Sequence, residues 1–463
     1  MSAAEEIIPT AEDGFEAFRA KAHEKLDEAL EKLRPLFSQV DKPNLEKISE
    51  ALQEFKQDFS GALLQEAAHS LHREEAQQGP WPCPQCGKLV GKLRDASREI
   101  ETKHGRSLLS RPYYYCRHCK HGFSPLDESL GLSQGRKQRD LQQLALKFLA
   151  RIPFDEAQGL FCESTGVPFS DHCMHKQFSS FADGLGPKEV IPSQEEIERR
   201  IDQARTSERR PVLVAATDGA HVPTRPESGS KRGQGEYKEA KGFRIYLNIK
   251  DRIVHLASWH QIDGKEEIIR ALKLAAQRIP QDRVRIGLIG DGAHWLWETM
   301  EHAFPSGRQI LDYYHVKEYI HRVAEAQYPY DAKKALHWVE STMARLNFQD
   351  GARHVIAGLR RMQPFNEEAK EQIRKTANYL ERNKHRIHYR GDRIGGYPIG
   401  SGGVESANKF ICHTRLKRSG AWWLKQNSNK MLALRCSLVN GTFDQIFSRR
   451  ANREKAKGAY TNG

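Results

Sequence analysis

"VLVAATDGAHVP", residues 212–223, is an apolar, β-rich run that stops on Asp-Gly-Ala-His, and "IGDGAHWL", residues 289–296, stops on the same four letters. A short run of Val, Leu, Ile and Ala bounded by turn residues reads as a buried strand. Asp-Gly is turn chemistry that ends such a strand, and a single instance carries no function. Two of them put Asp218 and Asp291 where buried strands meet water. A pair of acids brought together there repel unless a proton or a cation sits between them.

The flanking segments set the order of elements. "PVLVAATD" (211–218), "GFRIYLNIK" (242–250) and "RIVHLASWHQI" (252–262) read as three strands, the last two a hairpin through Lys250–Asp251. A basic, glycine-rich excursion, residues 225–241, separates the first two. "KEEIIRALKLAAQRI" reads as a helix, "VRIGLIGD" as a strand, "HWLWETMEHAF" as a helix and "RQILDYYHV" as a strand. Three strands, a crossover helix, a strand, a helix and a strand match a ribonuclease H-like α/β core, with Asp218 and Asp291 on neighbouring strands. Magnesium takes carboxylate oxygens together with water and phosphate, and a pair of such ions suits phosphoryl transfer. A third carboxylate is expected from a later helix. Residues 316–394 are strongly helical and charged, and "GGYPIGSGGVESANKFI" then places Glu405 in the first turn of a new helix. Its glycine loop lets that helix approach the acids closely. Glu298, Glu301, Glu318 and Glu340 are the competing acids. His221 and His294, which follow the two aspartates, read as packing or backbone-binding residues rather than ligands.

Upstream, "WPCPQC" and "YYYCRHC" hold Cys83, Cys86, Cys116 and Cys119 in two Cys-x-x-Cys knuckles, the spacing of one structural zinc in a ribbon. His118 and His121 are possible substitutes. Cys162 and Cys173 read as buried helical cysteines, against the alternative of a second site with His172 and His175. Residues 138–183 form a helical cluster in which a helix ending at Gly166 and another capped by Ser170 or Asp171 suggest a helix-turn-helix, with Ser170 to Gln177 facing a DNA groove. Further upstream, Phe15–Phe37 and Leu45–Leu63 carry apolar residues at helical spacing and read as a hairpin packed on the rest of the chain, with "QVDKP" as its turn and protomer contact as the other use. "PSQEEIERRIDQARTSERR" (192–210) reads as a charged linker.

The net charge is +13. Residues 1–80 carry 9 Lys/Arg against 17 Asp/Glu, so the remainder carries +21, and residues 413–457 hold 11 Lys/Arg against 2 acids. That excess points to a polyanion, nucleic acid above all. Arg415, Lys417 and Arg418 are the candidate DNA-binding residues, and Trp422 and Trp423 either stack on a base or pack in the core. No window approaches the roughly 18 apolar residues of a membrane span, and the acidic start has no signal pattern, so an intracellular protein with no membrane partner is expected.

"TDGAHVPTR", "IGDGAHWLW", "LDYYHVKEY" and "PIGSGGVESANK", behind the cysteine knuckles, resemble bacterial insertion-sequence transposases of the Kra type, within the Mutator-like superfamily. The resemblance runs from about Cys83 to the C-terminus. It implies an aspartate-aspartate-glutamate site of Asp218, Asp291 and Glu405, holding two magnesium ions or manganese in their place. Asp312 and His315 match the Asp-x-x-His signature that precedes the glutamate. The "SDHCMHK" start of the second helix departs from the usual helix-turn-helix pattern. Further implications are double-stranded DNA partners (element ends and target), a homo-oligomer on DNA, and a cytoplasmic, nucleoid-associated location. The expected multidomain α+β organisation is a helical region (1–78), zinc ribbon (79–128), helix-turn-helix region (129–190), ribonuclease H-like core in two parts (205–327 and 395–440) around a helical insertion (328–394), and a basic C-terminal tail (441–463). The expected activity is metal-dependent DNA cleavage and strand transfer. A nuclease without strand transfer, or a DNA-binding regulator derived from a transposase, are the alternatives.

Overall fold

The computed structural model describes residues 11–38, 42–77, 79–205, 209–226, 235–249, 252–262 and 264–458. The chain forms two compact units, residues 1–181 with 447–463, and residues 182–446. The turn at 39–41 and the hairpin turn Lys250–Asp251 lie outside the described residues.

In the first unit, helices Ala11–Glu31 and Leu45–Leu71 run as a hairpin, the second capped by the Asn44 side chain, which accepts from Lys47 N. Only part of their apolar spacing is used. Phe15, Leu30, Phe37, Leu45 and Leu52 stand in solvent, contrary to a fully packed hairpin. β1 (Trp81–Pro82) pairs antiparallel with β2 (Leu89–Val90). β3 (Lys92–Thr102), β4 (Gly105–Cys116) and β5 (His121–Phe123) form an antiparallel sheet in that order. β4 alternates buried and exposed positions, as a strand with one covered face should. Its covered face includes Leu109, which with Ile100 and Leu126 packs on Ala68 of the long helix. Helices Arg139–Leu149, Phe154–Thr165 and Asp171–Ala182 follow, and Cys173 N donates to Ser170 Oγ at the start of the last. Met174 and Phe178 of that helix are buried, while Asp171, His172, Cys173, His175 and Lys176 face outward. Cys162 and Cys173 are exposed, not buried as their apolar neighbours suggested; the two buried cysteines outside the knuckles are Cys412 and Cys436.

The second unit is built on a six-stranded mixed sheet. Its strands are β6 (Val212–Arg225), β7 (Glu236–Ile249), β8 (Arg252–Gln261), β9 (Arg285–Gly290), β10 (Arg308–Leu311) and the short β11 (Trp423–Leu424). The order is β10-β9-β6-β7-β8, with β11 against the far end of β6. β6, β9 and β10 are parallel; β7 is antiparallel to both of its neighbours. β9 is buried along nearly its whole length, which is why it reads as an unbroken apolar run. The basic excursion is shorter than the sequence suggested. Residues 236–241 belong to β7, where they pair with 219–224 of β6, so the first strand does not end at Asp218–Gly219 as expected but carries them mid-strand, held by the pairing with β7.

Two more segments depart from expectation. The "linker" holds a helix, Gln194–Ala204, capped by Ser193, because Ile197, Ile201 and Ala204 recur at helical spacing and are buried beneath the charges. The "tail" is the helix Phe443–Gly458, anchored through buried Phe443, Ile446 and Phe447. Residues 332–395 form four α-helices, Ala332–Arg345, Gly351–Arg361, Glu367–Asn383 and Tyr389–Gly395, with a 3₁₀ turn at Lys384–Arg386. Among the described residues, no helix is long and apolar enough to cross a membrane.

Helix Lys425–Asn440 is fastened to β8 by its last residue. The buried Asn440 side chain accepts from Ser258 N at 2.8 Å and donates to Ser258 O and Val190 O at 3.0 Å each. Its Oδ1 also lies 2.9 Å from His255 Nε2. Asn440→Ala strands several buried polar groups at once, and the expected loss is about 3 kcal/mol, read from the urea unfolding midpoint.

Candidate active site

Register decides which acids meet. Every pair in the β6–β9 ladder, from Val212 with Arg285 to Ala216 with Ile289, is 73 positions apart, and Asp218 and Asp291 each follow the last pair by two residues. In the β9–β10 ladder the spacing is 21, from Arg308 with Gly287 to Leu311 with Gly290, and Asp291 and Asp312 each follow its last pair by one residue. Three aspartates therefore lie one or two residues past the last pairs of these parallel ladders, where β9 and β10 end, the edge at which α/β sheets commonly place ligands.

Their environments differ. Asp218, half-buried, accepts from Gly219 N on Oδ1 (2.7 Å) and from Asn408 Nδ2 on Oδ2 (2.6 Å). Asp291 is exposed; its Oδ1 accepts from Ala293 N at 3.0 Å, and its carbonyl accepts from the Tyr379 hydroxyl at 2.8 Å. Tyr379 belongs to helix Glu367–Asn383 and stacks on Tyr319, ring centroids 4.1 Å apart. Asp312 is fully buried. Its Oδ1 caps helix Tyr313–Gln327, accepting from Tyr314 N (2.6 Å) and His315 N (3.1 Å), and its Oδ2 accepts from Ser401 N (2.6 Å). With three N–H donors on it and no exposure, Asp312 positions backbone and faces no solvent.

The Asp312–Ser401 bond leads to the third acid. Ser401 precedes helix Gly402–Ala407, in whose first turn Glu405 is exposed and accepts from Ser401 Oγ at 3.1 Å. Gly403 allows that helix onto β7: a Cβ there would lie 2.5 Å from the Tyr246 ring. Arg244 Nη1 donates to Gly403 O at 2.7 Å and completes the seat.

These groups sense one another. Burial pushes the Asp218 carboxyl up to about 6 against the opposing pull of the Gly219 N–H and of His315, and the charges of Asp291 and Glu405 push it further. His315 is half-exposed, with Nδ1 3.6 Å from Glu318. His221 and His294 are exposed. Such a cluster favours a bound proton or a cation.

In the first unit, the Sγ atoms of Cys83, Cys86, Cys116 and Cys119 all lie within 4.8 Å of one another, an arrangement that could hold a metal ion such as zinc. Among the described residues it is the one group drawn that tightly together; the carboxylates stand farther apart. The Cys119 N–H draws the Cys116 thiol down to about 7, while burial pushes the Cys119 thiol up to about 12. His118 is exposed and His121 stacks on Phe123, so neither replaces a cysteine.

The basic C-terminal candidates separate. Arg415 is buried, 3% exposed, with its guanidinium 4.8 Å from the Trp423 ring centroid. That cation–π contact places it in the packing rather than toward a phosphate, a correction to its expected role. Lys417 is exposed and Arg418 half-buried. Trp422 is 45% exposed, edge-on to Tyr237. Asn408, Ser401, Arg244 and Tyr379 were missed as site residues; only "SGGVESAN" carried a local signal, by its proximity to Glu405.

Residues 191–453, more than half of the chain, match the model described as Uncharacterised protein family (UPF0236). The chain belongs to this family. The UPF0236 match takes in Asp218, Asp291, Asp312 and Glu405 and leaves out the four-cysteine cluster. No curated protein matches the chain. Among solved structures it is similar to the Drosophila P element transposase strand transfer complex, at 10% identity and a TM-score of 0.27, covering 68% of this chain and 81% of that one. A likeness of that size leaves the fold to rest on the strand order and register above.

Two outcomes follow. The folded chain holds the Asp218 proton more tightly than an unfolded carboxyl does. Its contribution is complete below about pH 4 and is lost as pH rises through about 6. Urea unfolding of the magnesium-free protein should show that decline, and Asp218→Asn should flatten it. Elemental analysis should find about one zinc per chain, lost in Cys116→Ser together with the order of residues 79–128; an ordered, metal-free ribbon would overturn this.

Proposed function

We propose that this UPF0236 protein is a DNA transposase, a metal-dependent polynucleotidyl transferase with a ribonuclease H-like core. The observation that supports the reading is that Asp218 on β6 and Asp291 just after β9 each follow the last pair of the parallel β6–β9 ladder by two residues, with the helix of Glu405 opened by Ser401, which is tied to Asp312. The strand order, with three antiparallel strands followed by two parallel ones beyond the first, supports such a core. The motif resemblance to insertion-sequence enzymes and the basic charge of the chain outside its acidic first 80 residues support DNA as substrate.

The donor set fits an oxygen-preferring divalent cation: carboxylates, two of them exposed, with an Asp218 whose proton affinity is raised by burial and, to a smaller extent, by the charges of the other two. Asp218, Asp291 and Glu405 would hold the metal, magnesium or manganese, which when bound activates the attacking oxygen and stabilises the leaving one. The protein's own residues orient these acids. Gly219 N and Asn408 hold the Asp218 carboxylate, Tyr379 holds the Asp291 turn, and Ser401 holds Glu405. Water and then a DNA 3′-hydroxyl serve as nucleophiles, so no covalent protein intermediate is required. Lys417 and Arg418 contribute to binding the DNA backbone, and the chain acts as an oligomer on paired ends.

The test uses the full chain with magnesium, labelled duplexes from the DNA flanking its coding sequence, and a supercoiled plasmid target. Cleavage and joining are expected. Asp218→Asn, Asp291→Asn and Glu405→Gln should each fold and bind DNA yet lose more than about 100-fold in rate, because a direct ligand counts for more than the outer partners whose loss costs that much. Cutting without joining would make the protein a nuclease. Full activity of Glu405→Gln beside a dead Glu298→Gln or Glu340→Gln would move the third acid. DNA affinity should fall steeply with salt, and charge reversal at Lys417 and Arg418 should flatten that slope.

A further inference from the structure

Asp218 is not alone in its row. It pairs across the β6–β7 ladder with Gly242, and Gly242 pairs across the β7–β8 ladder with His260. Directly opposed residues share a face of the sheet, so the three lie side by side on one face. The middle position must be glycine. A Cβ on Gly242 would lie 2.1 Å from His260 Cδ2 and 2.5 Å from Nε2, because the imidazole leans over that residue. His260 is fully buried, and its Nε2 lies 3.0 Å from Asn408 Oδ1. Asn408, also buried, donates through Nδ2 to Asp218 Oδ2 at 2.6 Å.

The direction of these bonds is forced. An ionised carboxylate only accepts, so the Asn408 amide must turn its NH₂ to Asp218 and its oxygen to His260. His260 must then carry its proton on Nε2. Its Nδ1 is buried without a hydrogen-bond partner, so a second proton there would be an unpaired buried donor. The ring is a neutral, single-direction donor. Asn408 also opens the π-helical stretch Asn408–His413, directly after the helix that bears Glu405. Such local widenings of a helix recur at functional sites. One continuous segment thus presents Glu405 and, three residues later, the group that holds Asp218.

We propose that Asn408, its amide oriented by His260 in the space left by Gly242, is a positioning residue that fixes the Asp218 carboxylate for metal binding. With Gly219 N on Oδ1 and Asn408 on Oδ2, each oxygen has one N–H and keeps one acceptor position for a cation. Without Asn408 the carboxylate is held from one side and rotates. The inference rests on the reading of Asp218 as a metal-site acid, and its experiment separates the two.

Mn²⁺ binding to the zinc-loaded full chain, without DNA, is measured by titration calorimetry, with a thermal melt of each variant. Asp218→Asn should abolish the carboxylate-site binding. Asn408→Ala and His260→Phe should each weaken it about 10- to 100-fold, the usual cost of losing an outer-shell partner. His260→Gln, whose amide N–H can replace Nε2–H, should stay near the parent. Parent-like Mn²⁺ affinity in Asn408→Ala beside its loss in Asp218→Asn would overturn the positioning role and leave the metal site standing. Parent-like affinity in Asp218→Asn would overturn the site itself and the inference with it. If Asn408→Ala fails to fold, the two His260 variants decide: equal affinity in His260→Phe and His260→Gln refutes the proposal.

Discussion

A carboxylate with no water around it has to be given its hydrogen bonds by the protein, and Asp312 receives three from backbone N–H groups. Two come from the helix that begins at Tyr313; the third comes from Ser401, 89 residues along the chain. That last bond closes a long loop of helices and sets the start of the Glu405 helix against the end of β10. Buried polar groups of this kind are satisfied or very costly. The parallel backbone contact, Tyr313 N to Ile399 O at 2.9 Å, holds the same junction from the other side.

That loop of helices also takes part in the site. Tyr379 reaches from helix Glu367–Asn383 to the carbonyl of Asp291, and its stacking on Tyr319 of helix Tyr313–Gln327 keeps the hydroxyl in place. Asp291 itself faces solvent, so its side chain is free to meet a ligand while its backbone is held. Asp218 is the opposite case: its side chain is half-buried and tied at both oxygens. The four acids thus grade from Asp312, which builds the scaffold, through Asp218, which is fixed, to Asp291 and Glu405, which are exposed. The charges of Asp291 and Glu405 add to burial in raising the hold of Asp218 on its proton.

The four-cysteine cluster solves a different problem. Its strands are short, β1 and β2 having two residues each and β5 three. A small packed group of Trp81, Val90, Tyr114 and Phe123 surrounds the thiols. A core of that size is marginal by itself, and a metal bound by four thiolates adds folding energy directly. The carboxylates need no such help, since the wide sheet beneath them already holds them in place.

Patterns with short range were legible in the sequence. The cysteine knuckles, the order of strands and helices from Val212 to Leu311, and the Asp-Gly strand end at Asp291 could be read because each depends on neighbours within a few residues; the Asp-Gly at 218–219 misled, since β6 runs on through it to Arg225. Charge misled where periodicity was masked, as at Ile197, Ile201 and Ala204 within a run of Glu and Arg, and at the helix after Phe443. Arg415 read as a phosphate ligand because composition does not say which face of a turn meets Trp423. Only the tertiary structure decided that Asp312, one residue past the β9–β10 ladder, is sealed from solvent, and that His260 and Asn408, 148 residues apart, meet over Gly242. Strand register and the empty volume above a glycine are properties of pairs and triples of distant residues, and no local spacing encodes them.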